Sequence, residues 1–153
     1  MGVGLQSRSP NVTAQSRVNM YLEYSPQGDK TQVTAYGTPG LELFVDFGET
    51  PVRAQYALGN FNYVIHRGTF WEVNNAGVKT NRGSLLTTSG RCSITDNGSQ
   101  ILIVDGTYGY IYTIATTTLT KIADADFPAN PVTATFNAGY FLISLADSGK
   151  FYI

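Results

Sequence analysis

The chain has very few residues of the kinds that build catalytic or metal sites. Its one cysteine, Cys92, allows no disulfide within the chain, and we expect it to be a small buried strand residue. Its one histidine, His66, lies in a turn between two predicted strands, where we expect it to face solvent. A Ser-His-Asp site would depend on that residue, so the sequence argues against a hydrolase.

Charged residues and long apolar runs are scarce as well. Only 14% of the residues are charged, the formal net charge is −1, and no stretch collects lysine and arginine. Binding to nucleic-acid phosphates needs such a stretch, so direct wrapping of DNA is a weak hypothesis. Residues 1–8 turn polar at once, unlike a secretory signal, and no segment is long and apolar enough to cross a bilayer as a helix. We expect no membrane association.

The acidic residues have the spacing of turns and not of a metal site. Asp124 and Asp126 offer two oxygen ligands at best, whereas a calcium loop needs several. Aspartate side chains commonly accept hydrogen bonds from the backbone two residues on, so we assign these residues, and Asp105 before Gly106, to turns. The sequence predicts no bound metal, no cofactor and no catalytic residue.

Aromatic residues and glycine are plentiful. The chain has ten tyrosines, eight phenylalanines and sixteen glycines, and 42% of its 153 residues are hydrophobic. This composition favours strands separated by tight turns, and a chain of this length can bury a sizeable core. We therefore predict an all-β fold.

A unit of about 40 residues occurs three times from residue 51 onward. Each copy has an apolar triplet, a polar turn and an aromatic triplet, and the triplet centres recur at intervals of 39 to 41 residues. The centres are Val64, Ile103 and Leu142 for the apolar triplets, and Trp71, Ile111 and Tyr152 for the aromatic triplets. A period near 40 built from short strands is typical of the blades of a β-propeller.

The sequence divides into two predicted parts. Residues 1–50 form an extended N-terminal arm with short strands at 18–23 and 32–36, the first of which we expect to add to a neighbouring sheet. Residues 51–153 form an incomplete β-propeller.

Three repeats make up this second part. They start near residues 51, 90 and 131 with strands at 52–56, 91–94 and 132–136, and a glycine-bearing turn follows each strand. The third repeat lacks a fourth strand, which leaves about two and a half blades where closed propellers have about four to eight. We expect two exposed blade faces. Three covers for them are open: the rest of a longer protein of which this is the N-terminal piece, which we favour, several copies packed around one another, or another protein.

A set of short motifs resembles the packaged-DNA stabilisation proteins of short-tailed bacteriophages, also called tail accessory or tail hub proteins. The motifs are RVNMYLE at residues 17–23, YGTPGL at 36–41, LTTSGR at 86–91, IVDG at 103–106, GYIY at 109–112, DADFP at 124–128 and GYF at 139–141. They extend over essentially the whole chain, and their order and spacing carry the resemblance.

The resemblance implies a non-enzymatic structural virion protein. Such a protein is made in the host cytoplasm and sits in the phage tail below the portal and its adaptor, as a ring of identical copies, sixfold in keeping with the family. It contacts the portal adaptor and distal tail proteins and retains the genome end without sequence-specific binding. The candidate assembly contacts are Arg17, Asn19, Tyr21, Glu23, Pro39 and Gly40.

Two other functions remain open from the sequence. The first alternative is a carbohydrate-binding propeller module for host-surface recognition, in which aromatic side chains form the sugar platform. Regularly spaced strand aromatics more often pack between blades. The second, a propeller hydrolase, ranks last because one histidine and scattered carboxylates form no visible catalytic group.

Overall fold

The computed structural model describes residues 20–24, 33–38 and 40–153, and this part of the chain is all-β without a helix. It divides into two compact units, Met1–Leu43 and Phe44–Ile153. In the first unit, β1 (Met20–Tyr24) pairs antiparallel with β2 (Val33–Gly37). Both predicted strands of the arm are therefore present. Within the described residues, however, β1 pairs with β2 instead of joining another sheet.

The second unit contains three antiparallel sheets, each with its strands in sequence order. Sheet 1 consists of β3 (Val52–Leu58), β4 (Phe61–His66), β5 (Thr69–Asn74) and β6 (Lys79–Ser84). Sheet 2 consists of β7 (Ser93–Asp96), β8 (Gln100–Val104), β9 (Gly109–Thr113) and β10 (Thr118–Lys121). Sheet 3 consists of β11 (Pro131–Asn137), β12 (Tyr140–Leu145) and β13 (Phe151–Tyr152).

These sheets confirm the strand pattern predicted for the repeats. Each of the three first hairpins turns through a glycine with positive φ, 60° at Gly59, 86° at Gly98 and 89° at Gly139, a conformation that costs glycine little. Sheet 3 has three strands, as predicted. The first strand of sheet 2 begins at Ser93 and not at Arg91, because the residues just before it belong to the connection from sheet 1.

Sheet 2 lies between the other two sheets. On one face of sheet 2, Ile101 and Ile103 pack with Tyr63 and Ile65 of sheet 1. Aromatic rings fill much of the space between these two sheets. The Phe70 ring stacks against Tyr63 at 5.6 Å and meets Tyr112 edge-on at 5.1 Å between ring centroids. Tyr63, Phe70 and Tyr112 therefore pack between sheets 1 and 2.

The opposite side of sheet 2 packs against sheet 3. There Leu102 and Val104 form a second core cluster with Ile143, and Phe141 and Leu145 pack against it. Ile143 is thus the sheet-3 residue that points toward the preceding sheet, as Ile103 does in sheet 2. The predicted equivalence of Ile103 with Leu142 was wrong by one residue, since three consecutive apolar residues do not mark which face is which.

The outer face of sheet 1 carries Val64 and Trp71, which pair across β4 and β5. The preceding segment covers part of this face: the Phe47 ring lies 6.1 Å from Trp71, between ring centroids. Lys79 holds the segment, because its Nζ lies 5.0 Å from the Phe47 ring centroid and donates to the Asp46 carbonyl at 2.9 Å. The expectation of two exposed sheet faces was therefore wrong for sheet 1.

No helix capable of crossing a membrane occurs in the described ranges.

Candidate functional site

The predicted assembly contacts fall partly outside the described residues. Arg17, Asn19 and Pro39 lie outside them, while Gly40 is described and exposed. Tyr21 and Glu23 are two positions apart on β1, and their Cα partners on β2 are Tyr36 and Thr34 respectively. The structure places these two on one strand of the hairpin, and their role in assembly stays a prediction.

An exposed apolar surface lies on the side of sheet 3 that faces away from sheet 2. Because strand residues alternate between faces, Tyr140 and Leu142 point away from the side occupied by Phe141 and Ile143. Phe151 joins them, since its Cα partner is Ser144 on that same outer side. Tyr140, Leu142 and Phe151 are named here the sheet-3 surface. Tyr140 is 61% exposed and Phe151 69%.

Comparison of the three repeats shows how the centre of the sheet-3 surface differs from its equivalents in sheets 1 and 2. Tyr63, Leu102 and Leu142 occupy the same position of the second strand, on the side that faces the following sheet. Tyr63 and Leu102 are buried beneath the next sheet, whereas Leu142 has no following sheet over it among the described residues and is only half-buried. The sheet-3 surface therefore has the apolar character of an interface whose partner is not in this part of the chain.

The edge of sheet 3 is also open. In sheets 1 and 2 the third strand pairs with a fourth, but β13 is the last strand of its sheet and is only two residues long. An edge strand presents unpaired backbone donors and acceptors that another strand can satisfy. The open edge adjoins the sheet-3 surface and enlarges the area available for a partner.

A polar hub holds the connection between sheets 1 and 2. The guanidinium of Arg53, on β3, donates to the backbone carbonyls of Arg67 and Thr87 at 2.7 and 2.8 Å. It also donates to the carbonyls of Ser89 and Gly90, each at 2.7 Å, and to Thr87 Oγ1 at 2.8 Å. All five N–H donors of the arginine are used.

The hub continues into sheet 2 through Asp105, which is only 3% exposed. Its Oδ2 accepts from Thr87 Oγ1 at 2.6 Å and from the Tyr110 hydroxyl at 3.2 Å, while its Oδ1 accepts from the backbone N–H groups of Thr107 and Tyr108. Burial raises the pKa of the Tyr110 hydroxyl. The predicted turn role of Asp105 is confirmed, and its contacts with Thr87 and Tyr110 were not predicted.

A second buried polar group lies between sheets 1 and 2. Glu72, 7% exposed, forms an ion pair with Arg82 at 2.7 Å and accepts from the Tyr112 hydroxyl at 3.5 Å. The hydrogen bond to Glu72 raises the pKa of Arg82, and burial raises that of the Tyr63 and Tyr112 hydroxyls. These contacts fix how the two sheets pack, because a buried carboxylate is tolerated only with partners.

The residues weighed from the sequence as catalytic or metal-binding candidates make structural contacts instead. His66 ends β4 partly buried, with a hydrogen bond to Thr50 Oγ1 and the Phe47 ring 5.5 Å away, so the expectation that it faces solvent was wrong. Cys92 is buried as predicted, though just outside β7, and burial raises the pKa of its thiol to about 11. Asp124 Oδ1 accepts from the Asp126 N–H, which is the predicted turn contact.

Across the described ranges, no group of three or more histidine, cysteine, aspartate or glutamate side chains is arranged to hold a metal ion.

A scan against protein-family models finds no match to this chain, and a search of curated proteins finds none either.

Proposed function

We propose that Phe44–Ile153 is a run of blades from an incomplete β-propeller and that the protein is a structural assembly component. Three sheets that repeat every 39 to 41 residues and pack face to face support the propeller. The observation that carries the assembly role is the exposed sheet-3 surface, since Tyr63 and Leu102, the equivalents of its central residue Leu142, are buried under a following sheet.

Of the possible covers for this surface we propose a second copy of the chain, because the resemblance implies a ring of identical copies. Tyr140 and Phe151 supply two large exposed aromatic side chains, the type of residue that contributes most to protein interfaces. Contact between neighbouring copies buries them and also satisfies the edge of β13. A ring of identical copies, sixfold by the resemblance to tail hub proteins, gives each copy such a neighbour.

The resemblance extends this proposal to a place in a virus particle. We propose a non-enzymatic virion protein of a short-tailed phage that forms part of the tail hub below the portal and adaptor and helps to retain packaged DNA. Retention of this kind works by steric closure and contact area between subunits, so it requires neither a reactive group nor a basic channel. This extension rests on the order and spacing of the motifs over the whole chain, and Arg17, Asn19, Tyr21 and Glu23 are the arm residues through which the family's assembly role would carry over.

The test is the oligomeric state of the chain and of a surface variant. Light scattering after gel filtration should give assemblies for the wild type and monomers for Tyr140→Lys combined with Phe151→Lys. Val78→Lys is the matched control, because Val78 is exposed but distant in the fold from sheet 3. A wild type that stays monomeric at high concentration, or a double variant that assembles equally well, contradicts the proposal.

Electron microscopy of the wild-type assembly tests the ring. Closed rings with about six copies are expected, and unordered aggregates contradict a ring. The carbohydrate-binding alternative predicts a different result: a monomer that binds glycans on an array and loses that binding when Tyr140 and Phe151 are replaced.

A further inference from the structure

An open groove of about 720 Å³ adjoins the Arg53 hub at one end of sheet 1. Three arginines line it, Arg53 from β3, Arg67 from the turn between β4 and β5, and Arg91 from the connection to sheet 2, and Pro51 and Val52 form an apolar wall. None of the described lining residues is acidic. The groove therefore concentrates positive charge in a chain whose formal net charge is −1.

The three arginines differ in how many N–H donors remain available to a ligand. Arg53 uses all of its donors on the protein and contributes only its charge. Arg67 donates through Nε to Thr50 Oγ1 at 3.2 Å, and its terminal nitrogens have no hydrogen-bond partner in the described part of the chain. The exposed Arg91 side chain has no partner among the described residues either. Two guanidinium forks thus face the groove with free donors.

The backbone does not explain why position 67 is an arginine. Arg67 has φ of 53°, and the corresponding turns of the next two sheets have positive φ at Gly106 and Asp147, 89° and 49° respectively. The left-handed conformation recurs in every repeat, but glycine and aspartate adopt it at lower cost than arginine does. An arginine in a strained backbone conformation directs attention to its side chain.

We propose that this groove binds a small ligand that carries a phosphate or carboxylate group. The planar guanidinium matches both oxyanions through paired hydrogen bonds, and the volume suits a small organic molecule lying against Pro51 and Val52. The cations form one compact cluster and not a stripe, so the groove suits a small anion better than a nucleic-acid strand.

Isothermal titration calorimetry of the full chain tests this, with inorganic pyrophosphate and citrate as separate probes at constant ionic strength. The wild type should bind at least one probe saturably at one site. Arg67→Gln and Arg91→Gln should each weaken that binding about tenfold or more, and the double variant should lose it. Lys150→Gln, which removes an exposed cation outside the groove, should bind as the wild type does.

Circular dichroism shows whether each variant is folded, which we expect because both side chains are replaced by polar ones of similar shape at the surface. Pyrophosphate binding alone assigns a phosphate ligand, and citrate binding alone a carboxylate ligand. The proposal is overturned if neither probe binds saturably, if the folded double variant binds like the wild type, or if a short single-stranded oligonucleotide binds where pyrophosphate does not.

Discussion

Replacing Arg53 by methionine should loosen the connection between sheets 1 and 2 and make Cys92 reactive. Methionine keeps most of the side-chain length but removes all five donors, four of which bind the carbonyls of Arg67, Thr87, Ser89 and Gly90 and one of which binds Thr87 Oγ1. Cys92 directly follows this connection and is buried in the core shared by the two sheets. Its labelling by a thiol reagent therefore reports opening of that junction.

The size of the effect follows from the exposure of the five bonds. The two to Thr87 are partly buried and are worth about 1 to 1.5 kcal/mol each, whereas water replaces the three exposed ones at a cost of a few tenths each. The total is about 3 kcal/mol, which raises the open population, and with it the labelling rate, about 100-fold.

Loss of the Arg53 charge should lower the labelling rate of Cys92, but this effect is smaller than that of the lost hydrogen bonds. Burial raises the pKa of the Cys92 thiol, and the positive charge of Arg53 lowers it, so removal of that charge makes the folded-state thiol less reactive. Labelling proceeds mainly through the open state, where the thiol meets water and this charge is screened. The loss of hydrogen bonds should therefore decide the rate.

The assay is the rate of reaction with a disulfide reagent at about pH 8 in phosphate-free buffer. Arg53→Lys keeps the charge but has at most three donors, so an intermediate rate is expected. Arg91→Met removes a neighbouring cation that has no hydrogen-bond partner in the described part of the chain and should label like the wild type. Equal rates for the wild type and Arg53→Met would refute the reasoning.

Two further predictions concern packing and pH. In Gly109→Ala the new methyl group overlaps the Phe127 ring, so the free energy of unfolding should fall by about 1 to 3 kcal/mol in urea titrations. Adding Phe127→Leu should restore part of the loss, and Gly149→Ala, in open space, should cost little; equal losses at both glycines would count against the clash. Burial raises the pKa of the Tyr112 hydroxyl, so its stabilising effect is complete below about pH 10 and is lost as the pH rises through the folded-state pKa. Tyr112→Phe should make the fall in stability above about pH 10 less steep, and an unchanged slope would contradict this.

The sequence predicted the strands far better than the contacts between them. The strand order within each repeat, the hairpin glycines and the missing fourth strand of the last repeat follow from local composition, and the structure confirms them. Strand bounds were less accurate, since β3 and β11 are longer than predicted and β7 begins at Ser93. The predicted equivalence of Leu142 with Ile103 was wrong, because three consecutive apolar residues show no alternation of apolar and polar residues that would mark the two faces of the strand. The cover that Phe47 gives to sheet 1 also escaped prediction, since it lies in a segment without a repeating pattern.

The candidate site was the hardest part to predict. Arg53 binds carbonyls that lie 14 to 37 residues away in the chain, and no local pattern marks such contacts. The arginines of the groove are equally scattered, so the sequence indicated no basic cluster although the fold gathers three of its cations. By contrast, the count of about two and a half blades predicted an exposed sheet face, and the sheet-3 surface is exposed among the described residues.

Hydrogen exchange at low and high protein concentration tests most directly whether sheet 3 ends in an interface that another copy covers. Amides of β8, which has packed sheets on both sides, should exchange slowly and at the same rate at both concentrations. Amides of β12 and β13 should exchange faster in dilute protein and become protected as the concentration rises. Equal protection of β12 and β8 in dilute protein, with no dependence on concentration, would contradict an open sheet-3 surface.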